Sequence, residues 1–132
     1  MGSFVLAMWA YPSPALIKSL TEIDHGRSEA YVALIEHNGR AVQIGVSRFY
    51  SDADGKGCEC AIAIADAWKH KGLGSLLMRR LIKAAKARHL ERMYSIDAVT
   101  DADMHDFTAH MGFKREANAD DHTLVTHTLT LT

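Results

Sequence analysis

The chain has 132 residues, of which 48 % are hydrophobic and 23 % are charged. This length and composition fit a soluble globular fold, and we expect residues 1–132 to form a single domain. The formal net charge of −1 excludes nucleic-acid binding driven by overall charge, so no nucleic-acid partner is expected.

The first apolar segment, Phe4–Trp9, is too short to span a bilayer and lacks the basic flank of a secretion signal. No membrane attachment is therefore expected. Pro12 and Pro14 follow, and Pro14 suits the first turn of a helix, which is predicted to run to about Ile23.

Three strands are predicted next from β-branched, aromatic and small apolar residues. The turn between the first two contains Asn38-Gly39, a strong hairpin signal, and a polar turn precedes the third. We expect these strands to form an antiparallel meander. They cover Glu29–Glu36, Ala41–Tyr50 and Cys58–Ala65.

The third strand carries both cysteines of the chain. Cys58 and Cys60 are two residues apart, so their side chains point the same way and cannot easily form a disulfide with each other. A reducing compartment follows, and we predict a cytoplasmic location. The eight histidines show no matched ligand spacing, so no metal site is predicted.

The hydrophobic pattern then changes to the period of a helix, from about Gly72 to His89. Its apolar stripe consists of Leu73, Leu76, Leu77, Leu81, Ala84 and Ala85. Between Ala67 and Leu90 there is no Asp or Glu but there are seven Lys or Arg residues. Taken alone, this basic face is typical of a solvated helix surface.

The remaining elements are a strand over Arg92–Val99, a helix over Asp101–Met111, a strand that begins at Phe113 and a last strand over His122–Leu131. Asp101 is a plausible N-cap, and Gly112 ends the helix. The helix between the third and fourth strands suggests a parallel crossover. The pattern therefore predicts a mixed α/β sheet.

The glycines Gly72 and Gly74 stand at the start of the first well-defined helix, where they favour anion binding. Glycine lets a phosphate approach the backbone, the amides of the first helical turn lack internal acceptors, and the helix dipole adds partial positive charge. A glycine turn used only for tight packing is an equally good interpretation at this point.

The strand before this loop alternates Glu59, Ala61, Ala63 and Ala65 on one face. A face of minimal side chains lets a slender ligand lie close to the backbone, although a tightly packed helix would also explain it. The glutamate is harder to explain by packing, because buried Glu is rare without a partner.

The segment from Glu59 to Ser75, with Lys69-x-x-Gly72-x-Gly74, resembles the acetyl-CoA motif of the GNAT superfamily of N-acetyltransferases, in which Arg or Gln is usual at the position of Lys69. The later family signature, Asn and a helix followed by Gly-Phe, is similar to Asp101–Met111 followed by Gly112-Phe113. The string Ala65-Asp66-Ala67-Trp68 resembles the GNAT domains of bacterial protein-lysine acetyltransferases in particular.

The resemblance implies a GNAT-like sheet, mostly antiparallel and short at its N-terminus, with a parallel crossover through the CoA-binding helix. It also implies acetyl transfer from acetyl-CoA to a primary amine, either a protein lysine or a small molecule. Glu59 matches the general base, and Thr108 takes the position of the usual tyrosine acid. The implied acetyl-CoA contacts are Ile62, Ala63, Ile64, Lys69, His70, Lys71, Gly72, Leu73, Gly74, Ser75 and Asp101.

Two departures from the family keep an alternative open. Threonine cannot donate a proton as a phenol does, so water, His105 or no acid at all would assist the departing thiolate. Asp101 replaces the usual Asn and would bring a carboxylate near CoA. The alternative is therefore a catalytically weak or inactive CoA-binding module with a regulatory or interaction role.

The N-terminus is also unusual for this family. Phe4–Trp9 is either a shortened first strand or part of the usual second helix. Exposed Phe4, Leu6 and Trp9 would seek a partner, so a homodimer is expected.

Overall fold

The computed structural model describes the backbone of residues 3–10 and 14–20 and every residue from 27 to 132. In the described residues the elements are β1 (Ser3–Ala10), β2 (Pro14–Leu20), β3 (Ser28–His37), β4 (Arg40–Ser51), β5 (Gly57–Ile64), α1 (Leu73–Ala87), β6 (Arg92–Ala98), α2 (Ala102–His110), β7 (Lys114–Ala117) and β8 (Leu124–Thr130). A short 3-10 turn, Asp66–Trp68, lies between β5 and α1.

The strands form one sheet in the order β1-β2-β3-β4-β5-β6-β8-β7. Every neighbouring pair is antiparallel except β5 and β6, which α1 connects. This arrangement confirms the predicted mixed α/β fold, mostly antiparallel with one parallel crossover.

The helix predicted to begin at Pro14 is wrong, because residues Pro14–Leu20 form strand β2. This strand pairs with β1 on one side and with β3 on the other. Sheet pairing on both sides overrides the local preference of a short apolar segment. Proline remains compatible with the strand because it is the first residue. The rest of the predicted helix, residues 21–23, lies outside the described residues.

Strand β1 contains the apolar segment Phe4–Trp9, which decides between the two interpretations of the N-terminus in favour of a strand. The side chains of Phe4, Leu6 and Trp9 lie outside the described residues. The homodimer therefore stays a prediction.

Helix α1 packs on one face of the sheet and forms the core with it. Its buried residues are Leu73, Leu77, Met78, Leu81 and Ala85. They meet buried sheet residues that include Phe49, Cys58 and Met93. Met78 extends the apolar stripe beyond the predicted set, whereas the basic residues Arg79, Lys83 and Lys86 are exposed.

The middle of α1 is fixed to strand β4 at two points. Ser47 Oγ donates a buried hydrogen bond of 3.2 Å to the Leu77 carbonyl. A side chain at Gly45 would meet Ile64 Cδ1 at 3.0 Å and Leu77 Cδ1 at 3.1 Å. These two contacts hold α1 against the sheet, and they thereby fix where the N-terminus of α1 lies.

We expect Leu77→Ala to lower the free energy of unfolding by about 2–5 kcal/mol, because Leu77 is fully buried and its removal leaves a cavity. Leu76→Ala is the matched control, since Leu76 is only partly buried and should cost less. Urea denaturation of both variants measures the difference. Equal losses would contradict this packing.

Candidate functional site

A gap opens in the sheet between its two parallel strands. Strands β5 and β6 pair only at Gly57–Arg92, Cys58–Met93 and Glu59–Tyr94. Beyond these pairs β5 continues beside β4 as far as Ile64, while β6 continues beside β8. The two strands therefore diverge after Glu59 and Tyr94.

Backbone groups of β5 point into this gap. The Ala65 amide donates 2.8 Å to the Ile44 carbonyl, so residue 65 faces β4. Because backbone direction alternates along a strand, Ala63 also faces β4, whereas the amides and carbonyls of Ile62 and Ile64 face the gap. An extended ligand in the gap can hydrogen-bond to these two residues as a further strand would.

The N-terminus of α1 opens beside the same gap. Its N-cap is Gly72, with φ of +86°, and its first turn contains no acidic residue. Leu76 makes the first intrahelical bond, to the Gly72 carbonyl at 3.1 Å, so the amides of Leu73, Gly74 and Ser75 precede the helical ladder. These amides and the helix dipole suit an anion such as a phosphate.

Helix α2 has a different N-terminus. Asp101 is its N-cap, and Asp101 Oδ1 accepts a 3.1 Å hydrogen bond from the Met104 amide. Asp103 adds a second carboxylate to the first turn. A side chain thus already satisfies this helix end, which leaves the start of α1 as the better anion site of the two.

A cleft of about 560 Å³ joins these features. One wall is α2, the other is β5, and the loop before α1 closes one end. The lining residues are Ile62, Ala63, Ile64, Lys69, His70, Gly72, Gly74, Ser75, Asp101, Asp103, Met104, Asp106, Phe107 and His110. At the end formed by α1, a Cβ atom at Gly74 would lie 3.2 Å from Phe107 Cε1 of α2.

The cleft brings together most of the residues predicted to contact acetyl-CoA, with two of them outside its lining. Leu73 is fully buried in the core, so its side chain does not reach the cleft. Lys71 Nζ lies 5.7 Å from the centre of the Trp68 ring. Asp101 lines the cleft while it also caps α2.

Glu59 lies at the closed end of the gap, outside the cleft lining. It belongs to the last pair between β5 and β6, and its register partners are Tyr50 and Tyr94. Its side chain is exposed, on the face of the sheet opposite α1. Tyr94 Oη donates 2.9 Å to Asp52 Oδ1, and burial together with this bond raises the pKa of Tyr94 to about 12. Tyr94 therefore stays protonated beside Glu59.

Thr108 is buried on the inner side of α2. Its hydroxyl donates 2.7 Å to the Met104 carbonyl of the preceding turn. It is 1 % exposed and does not line the cleft. A catalytic role for Thr108 stays a prediction that this geometry does not favour.

The two cysteines are buried free thiols next to the gap. Burial raises the pKa of both Cys58 and Cys60 to about 12. Since the thiolate is the nucleophilic form, neither cysteine is prepared for covalent catalysis near neutral pH.

The sequence pattern did not identify several residues of the site. Helix α2 contributes Met104, Asp106, Phe107 and His110 to the cleft, and their helical pattern carries no recognisable ligand motif. It also brings His105 to 3.0 Å from His127 of strand β8. Spacing within one element cannot reveal a pair that the fold assembles from two elements.

Neither a membrane-spanning helix nor a metal-binding group of side chains occurs in residues 3–10, 14–20 and 27–132. No helix there is both long and apolar enough to cross a bilayer. No group of three or more His, Cys, Asp and Glu side chains in that part of the chain is arranged to hold a metal ion.

Comparison with known proteins decides the family. The model of the Acetyltransferase (GNAT) family matches residues 4–113. The chain belongs to the GNAT family of acetyltransferases. The family expected from the Lys69–Gly74 motif is thereby confirmed.

Among individual relatives, the chain is 39 % identical over 119 residues to the protein named Acetyltransferase PA5475 from Pseudomonas aeruginosa. The match covers 90 % of this chain and 64 % of the relative, so the chain spans less than two thirds of that protein's length.

Solved structures show the same fold. The GNAT domain of S. lividans PAT has a TM-score of 0.76 at 12 % identity, with 97 % of this chain and 96 % of that chain covered. The PaiA N-acetyltransferase of Thermoplasma acidophilum, solved in complex with coenzyme A, has a TM-score of 0.68 at 16 % identity, with 80 % and 62 % covered.

The raised pKa of both cysteines leads to a prediction about their reactivity. In the native protein at neutral pH we expect neither Cys58 nor Cys60 to react rapidly with a thiol-specific disulfide reagent, because both are buried and protonated. After unfolding in guanidinium, both should react. A rapid native reaction of one thiol per chain would contradict the burial described here.

Proposed function

We propose that this GNAT-family protein transfers an acetyl group from acetyl-CoA to a primary amine, on a protein lysine or a small molecule, and that residues 1–132 act as one catalytic domain. The observation that carries the proposal is the gap after Glu59, which opens directly onto the uncapped N-terminus of α1. Acetyl-CoA has an extended pantetheine arm, which fits the gap, joined to a pyrophosphate, which fits the N-terminus of α1.

In this proposal the pyrophosphate of acetyl-CoA accepts hydrogen bonds from backbone amides between His70 and Ser75. Lys69 supplies positive charge at the mouth of the cleft, although its Nζ lies 3.2 Å from Asp66 Oδ1. The pantetheine arm pairs with Ile62 and Ile64, whose backbone groups face the gap. Ala63 contributes a small side chain that leaves room for the arm.

Glu59 is proposed as the general base. An acceptor lysine has an ordinary pKa of ~10.4, so a neutral amine at pH 7 costs roughly 4–5 kcal/mol. An exposed carboxylate at the closed end of the gap can accept that proton directly or through water. The free amine then attacks the thioester carbonyl, and the CoA thiolate leaves as the amide forms.

Departure of the thiolate needs no strong acid in this mechanism, because a thiol has a pKa of only about 8.5. The buried hydroxyl of Thr108 favours an unassisted departure. The same observation favours the second candidate, a CoA-binding module with weak or no turnover. Metal ions take no part in either proposal.

We further propose that the protein acts in the reducing environment of the cytoplasm. The support is that Cys58 and Cys60 are both free thiols.

Acetyl-CoA at 100 times its Kd should stabilise the protein by about 2.7 kcal/mol and raise its Tm by about 10 °C. Ser75→Glu should abolish this shift, because a carboxylate in the first turn of α1 occupies the place of the anion and repels the pyrophosphate. Ala117→Glu makes the same charge change at an exposed position on β7 and should keep the shift. A wild-type protein that millimolar acetyl-CoA does not stabilise would refute both candidate functions.

Glu59→Gln should lower kcat by about 100-fold or more and leave the KM for acetyl-CoA nearly unchanged, since it removes the base but no CoA contact. The defect should shrink as pH rises, because the acceptor amine then loses its proton without help. Glu116→Gln is the matched control, at an exposed site on β7. Steady-state rates with lysine peptides and polyamines measure the effect. Wild-type binding without turnover would favour the CoA-binding module.

A further inference from the structure

A chain of three hydrogen bonds, centred on the buried His127, connects the cleft wall to the sheet. Asp97 Oδ2 lies 2.8 Å from His127 Nδ1, and His127 Nε2 lies 3.0 Å from His105 Nδ1. His105 Nε2 then lies 2.7 Å from the Val99 carbonyl. The chain therefore joins β6, β8, α2 and the β6–α2 loop, and its central residue, His127, is 1 % exposed.

The number of protons in this chain follows from its two ends. The Val99 carbonyl can only accept a hydrogen bond, and so can the Asp97 carboxylate. Three hydrogen bonds between two accepting ends need three ring protons. Two neutral imidazoles carry two. All three contacts can therefore be hydrogen bonds at once only when His105 and His127 share one extra proton.

The extra proton belongs to the imidazoles and not to Asp97. Asp97 Oδ2 also accepts a 2.7 Å hydrogen bond from Ser95 Oγ, as a carboxylate oxygen can. Imidazole is ordinarily a stronger base than carboxylate. With all three hydrogen bonds formed, the two rings would together carry one positive charge next to the Asp97 carboxylate.

Few buried residues hold helix α2 to the sheet. Of its nine residues only Thr108 is buried, and Phe107 is a partly buried apolar residue that packs against the core. Yet the N-cap and body of α2 supply six of the residues that line the cleft. His105 lies on α2 between Met104 and Phe107, which both line the cleft. A movement of α2 at His105 would therefore move these two lining residues.

We infer that Asp97, His127 and His105 form a proton-dependent link that positions α2 as the wall of the cleft. With the extra proton, all three hydrogen bonds form. Without it, one bond must break, because a ring nitrogen then faces another acceptor with no proton between them. Its consequence for acetyl-CoA rests on the proposed function, whereas the proton count does not.

The sign of the pH dependence follows directly. The link is complete at low pH and loses a bond as pH rises, so affinity for acetyl-CoA should fall with rising pH. Charged or titratable groups on neighbouring strands also border this hydrogen-bond chain. Arg115 of β7 is the register partner of His127 and opposes the extra proton. Cys60 of β5 stays neutral over this range, since burial raises its pKa to about 12.

Asp97→Asn separates a proton-dependent link from a merely structural one. The asparagine amide can donate to a neutral His127, which completes the chain with two neutral rings. This variant should keep α2 in place at every pH. His105→Phe removes the link at every pH, and His122→Asn changes an exposed histidine outside the chain as the matched control.

The experiment measures acetyl-CoA affinity over about pH 5 to 8, where histidine changes charge, together with ¹⁵N NMR of the imidazole rings and amide protection factors in α2. The wild type and His122→Asn should lose about 3- to 10-fold more affinity over this range than Asp97→Asn, the value of one hydrogen bond. His70 and His110 also line the cleft, but they are common to all variants and cancel in the comparison.

The ring spectra should show three protons on His105 and His127 at the low-pH end in the wild type and two in Asp97→Asn. Two protons in both proteins, or identical pH profiles for the two, would overturn the inference. If His105→Phe does not fold, Asp97→Asn and the spectra still decide. If no variant binds acetyl-CoA, the proposed function fails, while ring protons and α2 protection still test the link.

Discussion

The site depends on one limit to backbone hydrogen bonding, the end of the β5–β6 pairing at Glu59 and Tyr94. Both strands continue, but with β4 and β8 as their only partners. The divergence leaves backbone groups of Ile62 and Ile64 directed into a gap. It also makes Glu59 the last paired residue, at the point where the two strands separate.

The two helices respond to this gap in different ways. Packing of Leu77 against Gly45 holds α1 close to the sheet, so its uncapped N-terminus opens beside the gap. Helix α2 is capped by Asp101, buries little apolar surface and forms the facing wall. One helix thus supplies fixed partial charge, and the other supplies a wall whose position depends on polar links.

The hydrophobic period and the glycine positions in the sequence predicted the elements that depend mainly on contacts between neighbouring residues. The change from strand to helix period located α1, and Gly72 and Gly74 marked its start, which carries no side-chain cap. Strand β2 was mistaken for a helix because pairing with β1 and β3 outweighs the preference of seven residues. The His105–His127 contact was also beyond prediction, since it joins two residues that lie 22 positions apart on different elements. The correct predictions rest on local sequence, whereas the missed features depend on pairing between residues distant in the sequence.

The unpaired side of β5 has a consequence for the empty protein. An exposed row of backbone donors and acceptors at Ile62 and Ile64 is a template for any extended chain, including a segment of another copy. A bound pantetheine arm would cover that row as a missing strand would. In the proposed complex, the co-substrate would therefore occupy the row that another extended chain could otherwise pair with.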